Sequence, residues 1–170
     1  MRCKKSAVKK VITMDVNAFR QTLGQFATGV CLVTVSDRER GPLATTVNSF
    51  SSVSLDPPLV LWSIQNSSDH LQTYAECQHF GISVLREEQA GLSGHYAKRG
   101  GHEALPEHFT AGAQGEPQLI DALAHFSCST FSVYPGGDHQ IIVGEVVAFE
   151  SMEAPPLIFF GGGYRSLSDQ

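Results

Sequence analysis

Side chains able to do chemistry concentrate in two places along this chain. The first is the run Thr45-Thr46-Val47-Asn48-Ser49-Phe50-Ser51-Ser52-Val53-Ser54-Leu55-Asp56-Pro57-Pro58, where hydroxyls crowd the point at which a strand pattern stops. Seven of the twenty residues from Thr45 to Ile64 are Ser or Thr. A buried strand has no use for so many hydroxyls, whereas a cradle for a polar, phosphorylated ligand above an apolar floor does. The second place is Asp138-His139, which follows the turn residues Pro135-Gly136-Gly137. Neighbours on a strand point to opposite faces, so these two are not expected to work as an acid–base dyad.

Several familiar chemistries find no footing. Gly161-Gly162-Gly163-Tyr164-Arg165-Ser166 has Ser where a dinucleotide fingerprint needs its third glycine, and the sequence given holds only four residues beyond it, too few for the helix that should follow. No phosphate-binding Walker loop and no G-x-S-x-G elbow occurs. The seven histidines show neither H-x-H nor H-E-x-x-H spacing, and no dedicated metal site is expected.

The elements that must position these residues follow from pattern. Asp15 is placed to cap a helix with apolar positions Val16, Phe19, Leu23, Phe26 and Ala27, which Thr28-Gly29 ends. Residues 30–35 read as a strand buried on both faces, joined by a polar turn at 37–41 to a partner over 43–50. Ser51 to Ser54 reads as irregular chain, and Pro57-Pro58 stiffens the entry to an apolar strand over 59–64, with Trp62 as core. Ser67 or Ser68 caps a short helix bearing Leu71 and Tyr74; residues 80–85 form a strand and 87–97 a helix. Residues 98–117 read as one long loop, and 126–134, 139–150 and 157–160 as further strands. Six or seven hairpin-linked strands with few helices between them make the fold mainly β: an antiparallel barrel with peripheral helices rather than a doubly wound sheet.

Composition sets the class. With 42% hydrophobic and 17% charged residues, the 170-residue chain is a single globular domain over 14–170, preceded by a basic extension over 1–13. Arg2, Lys4, Lys5, Lys9 and Lys10 carry five of the twelve basic charges, leaving a body with 17 acidic against seven basic residues. A body of net charge −10 is no general nucleic-acid binder. No apolar run approaches the roughly 20 residues of a spanning helix, so no membrane partner is expected. Four cysteines without a C-x-x-C, and no signal-peptide core, point to a cytoplasmic setting.

One family draws these features together. Phe26-Ala27-Thr28-Gly29-Val30, then Asn48-Ser49-Phe50-Ser51-Ser52-Val53-Ser54-Leu55-Asp56-Pro57-Pro58-Leu59-Val60, then Gly137-Asp138-His139 and Val143-Gly144-Glu145-Val146 strongly resemble the flavin reductase-like family. The resemblance runs over about residues 15–167. It implies an FMN-binding split barrel of Greek-key type, a homodimer, and hydride transfer from NADH or NADPH to FMN or FAD. A separate monooxygenase component as recipient of the reduced flavin is implied too. A flavin carrier without NAD(P)H activity, or a flavoprotein reducing a non-flavin substrate, stays open as an alternative.

Under that resemblance, an isoalloxazine ring needs an apolar platform and hydrogen bonds along its pyrimidine edge. Thr45, Thr46, Val47, Asn48 and Ser49 offer them, and Ser51, Ser52, Ser63, Gln65 and Ser68 are placed toward the ribityl chain and phosphate. Ser68, at an expected helix N-terminus, is the favoured phosphate site. The resemblance further places His95 and Tyr96 against the flavin and lets Arg99 or Lys98 add charge. It sets Gly162, Gly163 and Tyr164 on the nicotinamide nucleotide, with Gly163 standing where the family often has arginine. His139 is the residue assigned to the reaction itself, in a positioning and electrostatic role.

Overall fold

The computed structural model describes residues 14–37, 39 and 41–167. The expected basic extension over 1–13 lies outside the described residues. In chain order come α1 (Val16–Leu23), β1 (Thr28–Gly29), β2 (Cys31–Asp37), β3 (Gly41–Val47), β4 (Ser51–Leu55), β5 (Pro58–Gln65) and α2 (Leu71–Glu76). There follow β6 (His79–Val84), α3 (Ala90–Tyr96), β7 (Phe109–Ala111), β8 (Pro117–Leu119), β9 (Ala124–Gly136), β10 (His139–Ser151), β11 (Ile158–Phe160) and β12 (Gly163–Arg165).

Seven strands form one antiparallel sheet in the order β3-β2-β6-β9-β10-β5-β4. The chain leaves β5 on one side of this sheet and returns as β6 on the other, which gives the barrel its crossed connection. The two end strands, β3 and β4, are joined by Asn48, Ser49 and Phe50 alone. The ends of the sheet therefore meet in sequence as well as in space, and the fold is a mainly β split barrel.

Burial on both faces of β2 explains its mostly apolar run, in which the Thr34 hydroxyl donates to the Pro117 carbonyl. Cys31, Val33 and Val35 point into a core shared with Trp62, Tyr74, Phe80, Ile82, Cys128 and Ile142. Leu32, one residue out of phase, points into a second core with Ala44, Leu85, Tyr96, Leu119 and Leu157. This is the period of two of a strand, applied between a barrel interior and an outer cover of α3, β8 and the segment before β11. Burial raises the thiols of Cys31 and Cys128 to about 12, so both behave as small apolar side chains.

Four expectations are corrected. The first helix stops at Gly24, and Thr28-Gly29 is a strand that pairs with Phe159 and Ile158. Ser51 to Ser54 is strand β4, because β5 offers an open edge and pairing overrides a loop-like composition. Neither Ser67 nor Ser68 caps α2: His70 holds that position, without a side-chain cap bond, and Ser68 Oγ accepts from the His70 amide at 3.3 Å. The long loop over 98–117 contains the start of a small β7–β8 ribbon and a stretch that docks on β3. Asp15 does cap α1, its carboxylate accepting from Asn17 N at 2.9 Å and Ala18 N at 3.2 Å.

Gly144 sits at a register shift between β9 and β10, where a Cβ would lie 2.4 Å from Phe80 Cζ and 3.0 Å from Cys128 Cβ. Gly144→Ala is expected to destabilise the fold by about 1–3 kcal/mol through overpacking. Urea unfolding checks this: the midpoint falls with an unchanged slope, and an unmoved midpoint contradicts the packing described.

Candidate functional site

The site grows from an exposed strand edge. β3 pairs with β2 on one side. On the other, residues 102–104 cover it only as far as Ala44: Ala44 N donates to His102 O at 2.8 Å and Ala104 N to Pro42 O at 2.9 Å. Beyond Ala44, no strand or loop among the described residues pairs with that edge. A cleft of about 570 Å³ opens there, lined by Thr45 to Ser49, Ser63 to Gln65, Ser67 to Asp69, Ala97, Arg99, His102 and His139. That volume is of the size that takes a nucleotide-like ligand.

Strand ends bring its walls together. His139 opens β10 directly opposite Gln65, which closes β5. Ser49 pins the seam of the barrel: its hydroxyl accepts from Ser63 N at 2.9 Å and donates to Ser63 O at 3.2 Å. Thr46 Oγ1 donates to Ser93 O at 2.8 Å, tying β3 to α3. These two hydroxyls are thus committed to the frame, and the edge amides beside them are what the frame presents to the cleft.

Asp138 and His139 do touch, against expectation. His139 Nδ1 lies 2.7 Å from Asp138 Oδ1. Asp138 is in the turn rather than on β10, so strand alternation does not separate the pair. The hydrogen bond from His139, with its charge, holds the fully exposed Asp138 carboxyl below the usual range. The turn itself is closed from outside: Asn66 N donates to Asp138 O at 2.8 Å and Asn66 Nδ2 to Gly137 O at 3.1 Å.

Charge is concentrated at the opposite end. Arg99 Nε and Nη2 each lie 3.1 Å from a carboxylate oxygen of Asp69. This pairing lowers the Asp69 carboxyl and raises the Arg99 guanidinium, with the hydrogen bond the leading cause for both. His102 joins them, its Nδ1 3.1 Å from the Ala44 carbonyl. A carbonyl only accepts, so Nδ1 carries the proton and Nε2 is the nitrogen left for a ligand.

Of the residues expected at the site, Thr45, Thr46, Val47, Asn48, Ser49, Ser63, Gln65, Ser68, Arg99 and His139 line the one cleft. Tyr164 borders an adjoining recess of about 200 Å³ that shares Thr46, Val47, Asn48 and Ala97, and its hydroxyl lies 2.7 Å from Ser93 Oγ. Tyr96 is wholly buried, its hydroxyl 2.8 Å from His108 Nδ1 and accepting from Leu105 N. His95 packs edge-on against Tyr96 with ring centroids 4.7 Å apart and does not line the cleft. Ser51 and Ser52 sit exposed on β4, where Ser51 Oγ donates to Ser52 O. Gly162 belongs to the β11–β12 turn, at φ +80°, Gly163 opens β12 opposite Phe160, and neither lines the cleft.

Sequence reasoning missed Ile64, Ser67, Asp69, Ala97 and His102 as lining residues. His102 gave no local signal, because only the docking of residues 102–104 on β3 brings it to the cleft.

The comparisons bear on what such a cleft serves. Residues 23–168 match the domain family described as "Flavin reductase like domain". The chain belongs to this family. It is 42% identical over 154 residues to "FMN reductase (NADH) SmoA" of Agrobacterium fabrum, covering 90% of this chain and 87% of that one. It is 37% identical to the reductase component of the flavin-dependent trigonelline monooxygenase of Acinetobacter baylyi, with 88% of this chain covered but 48% of that protein. The chain thus spans about half the length of some curated relatives it matches. Among solved structures, the NADH:FAD oxidoreductase SgcE6 of Streptomyces globisporus superposes with a TM-score of 0.87 at 33% identity, covering 96% of this chain and 99% of that one. No described helix is long and apolar enough to cross a membrane.

Proposed function

We infer that the protein is a flavin reductase that moves hydride from NADH or NADPH to FMN or FAD. The observation that carries this reading is the cleft on the bare β3 edge, with peptide amides along its wall, the Arg99 guanidinium and the His102 ring at one end, and His139 across from them. The names of its relatives, FMN reductase (NADH) and NADH:FAD oxidoreductase, support the same reading.

The residues present suit a flavin nucleotide. The edge beyond Ala44 offers main-chain donors and acceptors to the polar rim of the ring. Ser67 and Ser68 would hold the ribityl chain, and Arg99 and His102 the phosphate. α2 is too short to serve as an anion site by its dipole, so the side chains carry that task. Hydride passes from C4 of the nicotinamide to N5 of the flavin, and the protein's part is to stack and orient the two rings. His139, steadied by Asp138, is the positioning residue for the nicotinamide. The resulting flavin, two electrons richer, is suited to a separate monooxygenase, the role named for the Acinetobacter relative.

The exposed face of α1 supports a homodimer. This eight-residue helix buries none of its side chains, and Val16, Phe19 and Leu23 share one exposed apolar face, extended by Phe26. A helix so short does not hold in water without tertiary packing. A second copy is the partner present at equal concentration in every preparation, and a twofold pairing covers both helices at once.

Two experiments test these readings. Purified protein with NADH or NADPH and excess FMN or FAD is expected to oxidise the nucleotide over many turnovers, and rates at background in all four combinations contradict the assignment. In the same assay His139→Ala raises the KM for the nicotinamide about 5- to 10-fold and leaves the flavin KM within about twofold. Light scattering is expected to give about twice the 18.4 kDa chain mass, falling to one chain in Phe19→Glu; a monomeric wild type contradicts the dimer.

A further inference from the structure

The charged end of the cleft is built unlike a plain oxyanion trap. The fork of Arg99 is already matched to a carboxylate, Asp69, in the two-pronged geometry a phosphate would otherwise take. Both residues line the cleft, so the carboxylate stands where the ligand's own negative charge has to come. Asp69 stays anionic at neutral pH, because Arg99 first, and then the charges of His70 and His102, hold its carboxyl below the usual range.

Two further features sharpen the contrast. His102 is fixed to β3 through its ring Nδ1 and its backbone, and it lines the same cleft. Asp69 also borders a second cavity of about 700 Å³ whose lining includes Asp37, Glu39, Glu76 and Glu116. An incoming phosphate dianion therefore has to take the place of the Asp69 carboxylate on Arg99 and meets like charge while doing so.

We propose that Asp69 is a release residue: by occupying Arg99 and setting a carboxylate at the phosphate end of the cleft, it keeps a flavin nucleotide weakly held and exchangeable. The inference rests on the flavin reductase reading. A flavin held in this way would leave after each turnover, as delivery to a second protein requires. Asp69 also makes the phosphate a minor contributor to affinity, so FMN and riboflavin bind the wild type with similar strength.

Fluorescence titration of FMN and of riboflavin tests this on the wild type, Asp69→Asn and Asp69→Asn/Arg99→Gln. Asp69→Asn is expected to tighten FMN about 2- to 5-fold, the scale of relieving one like-charge contact between solvent-exposed groups. FMN dissociation in stopped flow slows by the same factor, while riboflavin affinity stays within about twofold. Adding Arg99→Gln removes the gain, and raised salt shrinks it. Asp69→Ser gives the same reading if Asp69→Asn does not fold. Unchanged or weaker FMN binding in Asp69→Asn and Asp69→Ser overturns the proposal while leaving the reductase assignment standing. A wild type that binds neither flavin overturns both.

Discussion

The site depends on a strand edge left open. An unpaired edge in a β protein invites association and is normally blocked by a loop, a charge or a neighbouring strand. Here residues 102–104 block the first half of β3 and stop at Ala44, and the barrel seam is pinned a few residues later by Ser49 on the Ser63 peptide. Between those two ties, Thr45 to Val47 keep a bare outer edge facing a cleft. Ligand-binding capacity thus comes from backbone groups whose direction is fixed by the sheet. The two cores make that direction rigid, since β2 and β3 are held from the barrel interior on one face and from α3, β8 and the segment before β11 on the other.

Charge is distributed with the same economy of groups. The body of the chain is strongly acidic, yet Arg99, His102 and His139 gather around one opening. Each has a partner that limits it: Asp69 for Arg99, the Ala44 carbonyl for His102, Asp138 for His139. Those bonds orient the groups without burying a charge, which is costly unless fully paired. They also suit a protein whose ligands come and go.

Much of this is legible in the amino-acid sequence. The order of motifs from Phe26 to Gly144 points to the split barrel, and the burial of β2 on both faces follows from its mostly apolar run. Elements hard to read are those decided by distant pairing. Ser51 to Ser54 reads as loop because hydroxyls on an exposed edge strand leave no apolar alternation, and only β5 makes them a strand. Asp138 and His139 read as separated when strand alternation is applied one residue too early. Tyr96 sits next to a plausible ligand residue in sequence, but its helical position turns it toward His108 and the second core. His102 and Asp69 carry no pattern at all; they meet at the cleft because two segments thirty-three residues apart in sequence converge on one end of β3.

Amide NMR of the protein titrated with FMN tests the central claim most directly, because it reads the backbone edge itself. The amides of Thr45 to Ser49 and of Ser67 to Asp69 should shift together with a single binding constant, while those of Gln72 to His79, along the acidic second cavity, stay in place. Shifts confined to the second cavity, with the β3 edge unmoved, would contradict the account.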